Sequence, residues 1–437
     1  MTPQAPPDPA LVPGDGAPYV LSGRRCLAVD GACEAVTPAS PAELGDLAAA
    51  TARALDDPLA TPPLSMLAAG ATDVVLAVPD ASRDCPVAAL LPPLLERLTR
   101  AGLRDDQITI VVGCGLHRTT TAAEKEDLVG ADVAARLRVV DAQGLSRANV
   151  PLGNAGGGPI WIDEAVARAD LVIGVGIVEP HLYAGFSGGV KAVAVGCAGH
   201  ETIAWTHHPV FLDQPDVRLC RLDGNPFQEA LREIAGATAL RFAVNVVLGG
   251  GGVAGVAAGD PAAVQRRLAD DHGSAWIRCC ERPFDLVLAG VPAPKDKSVY
   301  QASRAATYVG LSAHPVVKPG GLIVCCADVP LGVGDGPGEI NFGALLAATA
   351  RPLDLVARGC VEPLGPGGQR AYMMAKLMTT YRVGVAGAGD RALIESLGLL
   401  CFDGAGDAIA AARRVAGAGA RVLALADGID TVVELAR

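Results

Sequence analysis

Residues 73–83 read DVVLAVPDASR, a short apolar run that ends at a proline and is followed by an aspartate and an arginine. The apolar run at residues 73–78 is typical of a buried strand. An alanine- and leucine-rich segment at residues 86–101 predicts a helix, and the apolar run at residues 108–112 predicts the next strand. Strand, helix and strand in this order indicate a parallel α/β sheet.

The same alternation of strands and helices continues along the chain. Further strands are predicted at residues 137–140, 171–175, 242–248, 286–289, 321–326, 353–357 and 382–386, and a helix at residues 261–270. A length of 437 residues favours two domains. We therefore expect two α/β domains with mostly parallel sheets and an active-site cleft between them. They are residues 1–280, of which 1–20 form a flexible tail, and residues 281–437; whether the last helix packs back on the first domain stays open.

The composition argues against several classes of protein. A net charge of −11 disfavours nucleic acid as a partner, because a phosphate backbone attracts basic surfaces. Half of the residues are hydrophobic, but the apolar run at residues 242–258 is broken by Asn245 and four consecutive glycines, which favours strand, turn, strand over a membrane span. The proline-rich N-terminus lacks the pattern of a secretory signal. We expect a cytoplasmic protein without a membrane partner.

The twelve cysteines are scattered along the chain. The adjacent pairs Cys279-Cys280 and Cys325-Cys326 lack the C-x-x-C spacing that suits a zinc site. Most of the cysteines stand in apolar, strand-like surroundings. We therefore expect buried, reduced thiols rather than disulfides or a metal cluster.

The segment at residues 179–208 reads EPHLYAGFSGGVKAVAVGCAGHETIAWTHH and holds four of the seven histidines. Its glycines allow a tight turn whose N–H groups can face a phosphate, with Lys191 in the first turn of a helix as a counter-ion or covalent tether. The spacing does not fit the G-x-x-x-x-G-K-[ST] motif. A glycine turn with a solvated lysine is, from this segment alone, an equally good interpretation.

Several polar residues follow predicted strands, where functional residues of parallel sheets gather. His117 and His181 each follow a strand and could act as acid and base from opposite sides of a substrate, while His207 or His208 could bind a metal. A structural histidine is the simpler interpretation of any single one. Asp80 and Arg83 could bind an anion together, or form a surface ion pair. A further anion contact could come from residues in the segment SVYQASRAA, namely Tyr300, Gln301 and Arg304.

Together these segments resemble one family. The blocks VPDASRDCP, GCGLHRTTT, EPHLYAGFSGGVKAVAVGCAGHETI with the following THH, DGNPF, RFAVNVV and VYQASRAA are similar to those of the nickel-dependent lactate racemases, and they occur in the same order. They cover most of residues 70–310. The resemblance implies a nickel-pincer nucleotide cofactor and nickel, and it implies cofactor-building enzymes as partners.

The resemblance also implies a role for individual residues. Lys191 matches the lysine that is joined to the cofactor through a thioamide, within a cofactor-binding turn that includes Ser187, Gly188 and Gly189. His207 matches the nickel ligand. The remaining matches lie at the substrate: His117 and His181 as the paired acid and base, Asp80 and Arg83 beside them, and Gln301 with its neighbour Tyr300.

Two positions depart from the lactate racemase pattern. Arg304 stands where the family has a lysine, and Arg370 aligns where the family often has a tryptophan against the substrate. Arg304 retains the positive charge but changes its geometry. Arg370 makes the pocket more polar, which favours a substrate larger than lactate with an extra carboxylate or hydroxyls. The implied reaction is inversion at C2 of a 2-hydroxy acid by hydride transfer through a 2-keto acid.

Two other functions remain open from the sequence. One is a catalytically silent protein that binds the nickel-pincer nucleotide, which the intact His117 and His181 disfavour. The other is a nucleotide-dependent dehydrogenase, which the glycine turns alone suggest. The chain lacks the G-x-G-x-x-G turn after its first strand that such an enzyme needs.

Overall fold

The computed structural model describes residues 17–31, 33–39, 41–249 and 251–436. Within them the chain forms two compact units. Unit 1 comprises residues 41–207 and 211–273, and unit 2 comprises residues 17–39, 208–210 and 274–436.

The strands follow one another along the whole described chain. They are β1 (Tyr19–Gly23), β2 (Arg25–Ala28), β3 (Glu34–Val36), β4 (Val74–Pro79), β5 (Ile108–Gly115), β6 (Arg138–Gln143), β7 (Asn149–Ala155), β8 (Gly158–Asp163), β9 (Leu171–Ile177), β10 (Pro180–His181), β11 (Gly185–Phe186), β12 (Leu240–Leu248), β13 (Val253–Gly259), β14 (Ile277–Cys280), β15 (Phe284–Pro292), β16 (Val317–Cys326), β17 (Arg382–Ala386), β18 (Leu400–Phe402), β19 (Val422–Leu425) and β20 (Val432–Leu435).

The helices separate most of these strands. They are α1 (Leu47–Asp56), α2 (Leu64–Leu67), α3 (Val87–Arg100), α4 (Ala122–Val129), α5 (Ala131–Arg136), α6 (Glu164–Arg168), α7 (His200–Thr206), α8 (Pro209–Leu212), α9 (Pro226–Gly236), α10 (Pro261–Trp276), α11 (Val299–Gly310), α12 (Pro337–Ala347), α13 (Pro352–Val361), α14 (Gly368–Met378), α15 (Arg391–Ser396) and α16 (Ala405–Ala416). Short 3₁₀ helices span Asp105–Gln107 and Lys295–Lys297, and a π-helix spans Ala192–Gly196.

Unit 1 is built on a sheet in the order β13-β12-β9-β4-β5-β6. All neighbours pair in parallel except β12 and β13, which are antiparallel. The strands β4, β5 and β9 are almost entirely buried, as expected for a sheet covered on both faces. The carboxyl ends of β9, β4 and β5 therefore lie side by side at one edge of the sheet.

Unit 2 has its own sheet, in which β15 to β18 pair in parallel in the order β18-β17-β16-β15. The other edge of β15 pairs in parallel with β19 and, at its end, with β1. β3 pairs with β19. These pairings place β1, β2 and β3 in unit 2. The sequence analysis had included them in a first domain of residues 1–280. Their partners are hundreds of residues away, so no local pattern reveals the pairing.

The fold class predicted from the sequence is confirmed, since both main sheets are mostly parallel and alternate with helices. The strand, turn, strand prediction for residues 242–258 corresponds to β12 and β13. The strand predicted at residues 353–357 is wrong, because these residues lie in α13. Pro352 occupies the first turn of that helix, where a proline is favoured. The five residues LDLVA are too few to carry a period that separates strand from helix.

Two expectations drawn from composition can be compared with the structure. All twelve cysteines lie among the described residues, and none forms a disulfide. Among the helices of the described part, none has both the length and the apolar character needed to cross a membrane. The expected tail at residues 1–20 lies mostly outside the described residues.

Candidate active site

Three neighbouring strand ends of unit 1 carry the polar residues predicted from the sequence. Asp80 follows β4, His117 follows β5, and Glu179 follows β9. Adjacent strands are about 4.8 Å apart, so the ends of β9 and β5 are separated by roughly 10 Å.

Asp80 and His117 form a close pair. His117 Nδ1 lies 2.6 Å from Asp80 Oδ2, and Ser82 donates from its amide and its hydroxyl to the other carboxylate oxygen at 3.1 and 2.6 Å. Burial alone would raise the pKa of Asp80. The charge and hydrogen bond of His117, the Ser82 hydroxyl and the charge of Arg83 outweigh it and hold the pKa well below its usual range. Asp80 is therefore a carboxylate at neutral pH.

A carboxylate can only accept, so Nδ1 of His117 carries the proton of this contact. The lone pair of the neutral ring is then on Nε2. The imidazole is still 43% exposed, whereas the Asp80 side chain is 9% exposed. The pair therefore presents a base whose orientation is set from behind by a buried anion.

Arg83 contacts a carboxylate that the sequence analysis did not single out. Its Nη1 lies 2.9 Å from Glu179 Oε1, with side-chain exposures of 22% and 12%. The Arg83 amide also donates to the Asp80 carbonyl at 3.1 Å, which closes a turn after β4. Glu179 follows β9 and stands directly before Pro180-His181. Its position after a predicted strand could have identified it as a candidate site residue from the sequence.

His181 lies in the small hairpin formed by β10 and β11. Its Nδ1 accepts hydrogen bonds from the amides of Tyr183 at 3.3 Å and Ala184 at 3.2 Å. An amide can only donate, so Nδ1 is the unprotonated nitrogen and a neutral His181 carries its proton on Nε2. His117 and His181 therefore hold opposite tautomers.

Lys191 is half-buried and immediately precedes the π-helix Ala192–Gly196. Single π-turns of this kind are frequent at functional sites. The π-helix packs directly on β5, the strand that leads to His117. A Cβ built on Gly113 would lie 2.9 Å from the Gly196 Cα, so backbone meets backbone here. This contact sets the distance between the elements that carry Lys191 and His117.

His207 ends α7 and is half-buried. Its Nδ1 lies 2.9 Å from the Ile203 carbonyl, which can only accept, so Nδ1 carries the proton and Nε2 the lone pair. The ring meets Tyr183 edge-on at 5.6 Å and Phe227 at 5.0 Å between centroids. Tyr183 also contacts His181 at 5.6 Å. Tyr183 thus bridges His181 and His207.

The candidate residues of unit 2 also lie together. Ser298 caps α11, which carries Tyr300, Gln301 and Arg304. The guanidinium of Arg370, on α14, lies over the Tyr300 ring at 4.8 Å from its centroid. Its buried Nε has no hydrogen-bond partner among the described residues. Arg304 is buried and contacts Tyr308, which the sequence analysis did not name, through a 3.2 Å hydrogen bond and a cation–π contact.

Comparisons with known proteins were made for the sequence and for the structure. Residues 26–219 match the family model described as the lactate racemase N-terminal domain. The chain is 25% identical to the lactate racemase of Thermoanaerobacterium thermosaccharolyticum and 28% identical to that of Lactiplantibacillus plantarum. Each alignment covers 87% of this chain, and it covers 89% and 90% of the two relatives.

The chain is therefore similar to lactate racemases along most of its length. These similarities indicate an isomerase of the racemase type.

Solved structures show that the chain shares its fold with a lactate racemase apoprotein. The lactate racemase apoprotein of T. thermosaccharolyticum matches with a TM-score of 0.86 at 22% identity, covering 96% of this chain and all of the other. A crystal structure of a Thermotoga maritima protein matches with a TM-score of 0.68 at 15% identity, covering 91% of this chain and all of the other.

Similarity to these proteins gives no residue of this chain a role by itself. Within unit 1 the structure brings Asp80 together with His117, and His181 together with His207 through Tyr183. Among the described residues no group of three or more His, Cys, Asp and Glu could hold a metal ion.

Proposed function

We propose that this protein, which is similar to lactate racemases, inverts C2 of a 2-hydroxy acid with the help of a nickel-pincer nucleotide. The observation that carries the proposal is the row of three strand ends in unit 1. It combines a histidine–aspartate pair with an arginine–glutamate pair. The first is suited to proton transfer and the second to holding a substrate carboxylate.

The opposite tautomers of the two histidines support an acid–base pair. His117, with its lone pair on Nε2, would take the proton from the substrate hydroxyl. His181, with its proton on Nε2, would supply a proton to the oxygen that re-forms as a hydroxyl in the mirror-related position. In the reverse direction the two histidines exchange their roles as acid and base, as inversion requires. The Asp80 carboxylate stabilises His117 while that ring is charged.

Arg83 would bind the substrate carboxylate. A guanidinium matches a carboxylate with two parallel hydrogen bonds, and such contacts also fix orientation. Because Glu179 occupies one nitrogen of Arg83, the guanidinium is held in one orientation before substrate arrives. A substrate held in this way presents its C2 hydroxyl to the base at a small entropic cost.

The residues around Lys191 and His207 fit the proposed cofactor. His207 has its Nδ1 bound to the Ile203 carbonyl, so Nε2 is the atom that would bind nickel; a backbone partner on the other nitrogen is the usual arrangement for ligating histidines. Lys191 would tether the nucleotide. When bound, the nickel and the cationic ring supply the hydride acceptor that no side chain provides.

We propose further that the substrate carries a second polar or anionic group beyond C2. Arg370 has a buried Nε without a hydrogen-bond partner among the described residues and lies over Tyr300, with Arg304 on the same helix as Tyr300. An arginine in such a setting favours a carboxylate or several hydroxyls on the substrate over the methyl group of lactate.

The proposal is tested on protein co-expressed with cofactor-building enzymes and supplied with nickel. We expect a nickel-dependent mass increase on the peptide that contains Lys191, and none in Lys191→Ala. A panel of 2-hydroxy acids deuterated at C2 is then offered in ordinary water. Inversion with deuterium retained at C2 is expected, because the hydrogen leaves and returns without exchange. Loss of the deuterium to solvent would contradict hydride transfer.

The histidines are tested separately. His117→Ala and His181→Ala should each keep the modified Lys191 and lose inversion, whereas His272→Ala, the matched control in the same unit, should keep both. A modified lysine with no inversion of any acid in the wild type would instead indicate a silent cofactor-binding protein. Full inversion in both His117→Ala and His181→Ala would contradict the assigned roles.

A further inference from the structure

The turn that leads to Lys191 is held by buried amide side chains from other elements. Asn245, on β12, is 1% exposed, and its Oδ1 accepts a hydrogen bond from the Gly189 amide at 2.7 Å. Its Nδ2 donates to the Val244 carbonyl at 2.9 Å, which orients the amide group. A Cβ on Gly188 would lie 2.8 Å from Asn245 Oδ1, so the turn is pressed against this side chain.

A second amide holds the other side of the same turn. Gln265, on α10, is 1% exposed, and its Nε2 donates to the carbonyls of Phe186 and Ser187 at 3.0 Å each. Its Oε1 accepts from Gln228 Nε2, on α9, at 2.8 Å. Gln228 is also 1% exposed, and it sets which end of the Gln265 amide faces the turn.

A third buried amide supports the segment just before the turn. Asn225, at the start of α9, donates from Nδ2 to the Tyr183 carbonyl at 2.8 Å and caps the helix with its Oδ1. Tyr183 contacts His207, and so does Phe227, which lies two residues after Asn225. Asn225 and Asn245 belong to the blocks DGNPF and RFAVNVV, for which the sequence analysis offered no role.

These contacts leave the turn little freedom to bind a phosphate through its amides. Ser187 donates its amide to the Glu179 carbonyl at 2.9 Å, Gly189 to Asn245, and Lys191 to the Gly188 carbonyl at 3.1 Å. Gly188 and Gly189 have φ values of +77° and +55°, which glycine adopts without strain. The glycines therefore serve to shape the path of the chain into Lys191.

We propose that Asn245 and Gln265 are positioning residues that hold residues 186–189 in place, so that Lys191 is set for attachment before the cofactor arrives. The inference rests on the proposed function for the role of Lys191. It predicts that removing either amide loosens the turn and slows attachment, while the rest of unit 1 remains folded. Gln228 acts one step further away, through Gln265.

The test compares four variants. Asn245→Leu and Gln265→Met keep the size of the side chain and remove its hydrogen bonds. Asn245→Asp keeps an acceptor for the Gly189 amide and is the conservative rescue. The matched control is Asn149→Leu, because Asn149 is a buried asparagine of the same unit whose Nδ2 holds three carbonyls of another turn, those of Gln143, Gly144 and Ser146.

The first readout needs no cofactor. Hydrogen exchange of the peptide that covers residues 186–191 should become about tenfold faster in Asn245→Leu and Gln265→Met and stay near the wild-type rate in Asn149→Leu. Asn245→Asp should recover most of the protection. Gln265→Met decides the matter if Asn245→Leu does not fold. Unchanged exchange of this peptide in the folded variants would overturn the inference.

The second readout is the rate at which Lys191 is modified during loading with cofactor and nickel. It should fall about tenfold in Asn245→Leu and Gln265→Met and remain unchanged in Asn149→Leu. An equal loss in Asn149→Leu would show a general effect of stability and overturn the inference. If wild-type Lys191 is never modified, the proposed function fails, whereas the exchange experiment still decides whether the amides hold the turn.

Discussion

The substitution Gly113→Ala tests whether the spacing between β5 and the π-helix controls catalysis. The new Cβ would lie 2.9 Å from Gly196 Cα, 3.0 Å from its carbonyl carbon and 3.3 Å from the Ala192 oxygen. All three are backbone atoms, which cannot rotate away. Gly113 has no chemical role in the proposed function. It lies on β5, which leads to His117, and it packs against the π-helix that follows Lys191.

The size of the effect follows from these distances. Carbon atoms pack at about 3.5–4.0 Å, so β5 and the π-helix must separate by roughly 0.6–1.1 Å. A misplacement of about 1 Å between reacting groups costs on the order of 10²-fold in rate. Overpacking of a core position costs about 1–3 kcal/mol of stability. We therefore expect a folded protein with a lower melting temperature and a kcat reduced about 10²-fold per modified Lys191.

The assay measures kcat, the fraction of modified Lys191 and the melting temperature on the same preparation. Gly236→Ala is the matched control, since a Cβ at Gly236, the last residue of α9, meets no atom within 4 Å. It should leave all three quantities near wild type. A Gly113→Ala protein that is folded, fully modified and as fast as wild type would refute the argument that this backbone contact sets the catalytic distance.

Three further outcomes are expected. Asp80→Asn removes the anion behind His117, so kcat should fall roughly 10³-fold while Lys191 is still modified, and a rate near wild type would contradict the role of the pair. The Arg118 ion pair and the Thr121 cap lower the pKa of Glu124 to about 2, so its stabilisation is complete above pH ~4.3 and is lost as the pH falls toward 2. The melting temperatures of wild type and Glu124→Gln should therefore differ at pH 7 and converge near pH 2; a constant difference would be inconsistent with this ionisation. Burial and the charges of Asp141 and Asp80 raise the pKa of Cys114 to about 12, so iodoacetamide at pH 8 should label the exposed Cys279 and spare Cys114 in the folded protein, and equal labelling would show that the thiol is accessible.

The strands and helices around the candidate site were within reach of sequence reasoning. β4 and β5 are short apolar runs that end at a proline or a glycine, and α3 has leucines on one face. The sequence spacing of Thr121 and Glu124 is typical of a capping box, and the structure has one at the start of α4. α13 was missed because a short apolar run has no distinctive period, and the boundary between strand and helix then depends on tertiary contacts.

The contacts that arrange the site were harder to predict, because they join residues far apart in sequence. Glu179 and Arg83 are separated by 96 positions, and Asn245 and Gly189 by 56. The sequence indicated that a histidine and an arginine at strand ends could be functional. It could not indicate which of several acids would meet them, since that depends on the order of strands in the sheet. Only the order β9-β4-β5 brings Glu179 to Arg83 and Asp80 to His117.

The chemistry of the three histidines depends on partners of the same non-local kind. A ring nitrogen that faces a carboxylate or a carbonyl must carry a proton, and one that faces an amide must not. His117 faces Asp80, His207 faces the Ile203 carbonyl, and His181 faces two amides of its own hairpin. In the proposed function, identical side chains are thereby prepared as a base, a metal ligand and an acid. Under that proposal, the hydrogen-bond partner of one ring nitrogen determines what the other nitrogen of each histidine does.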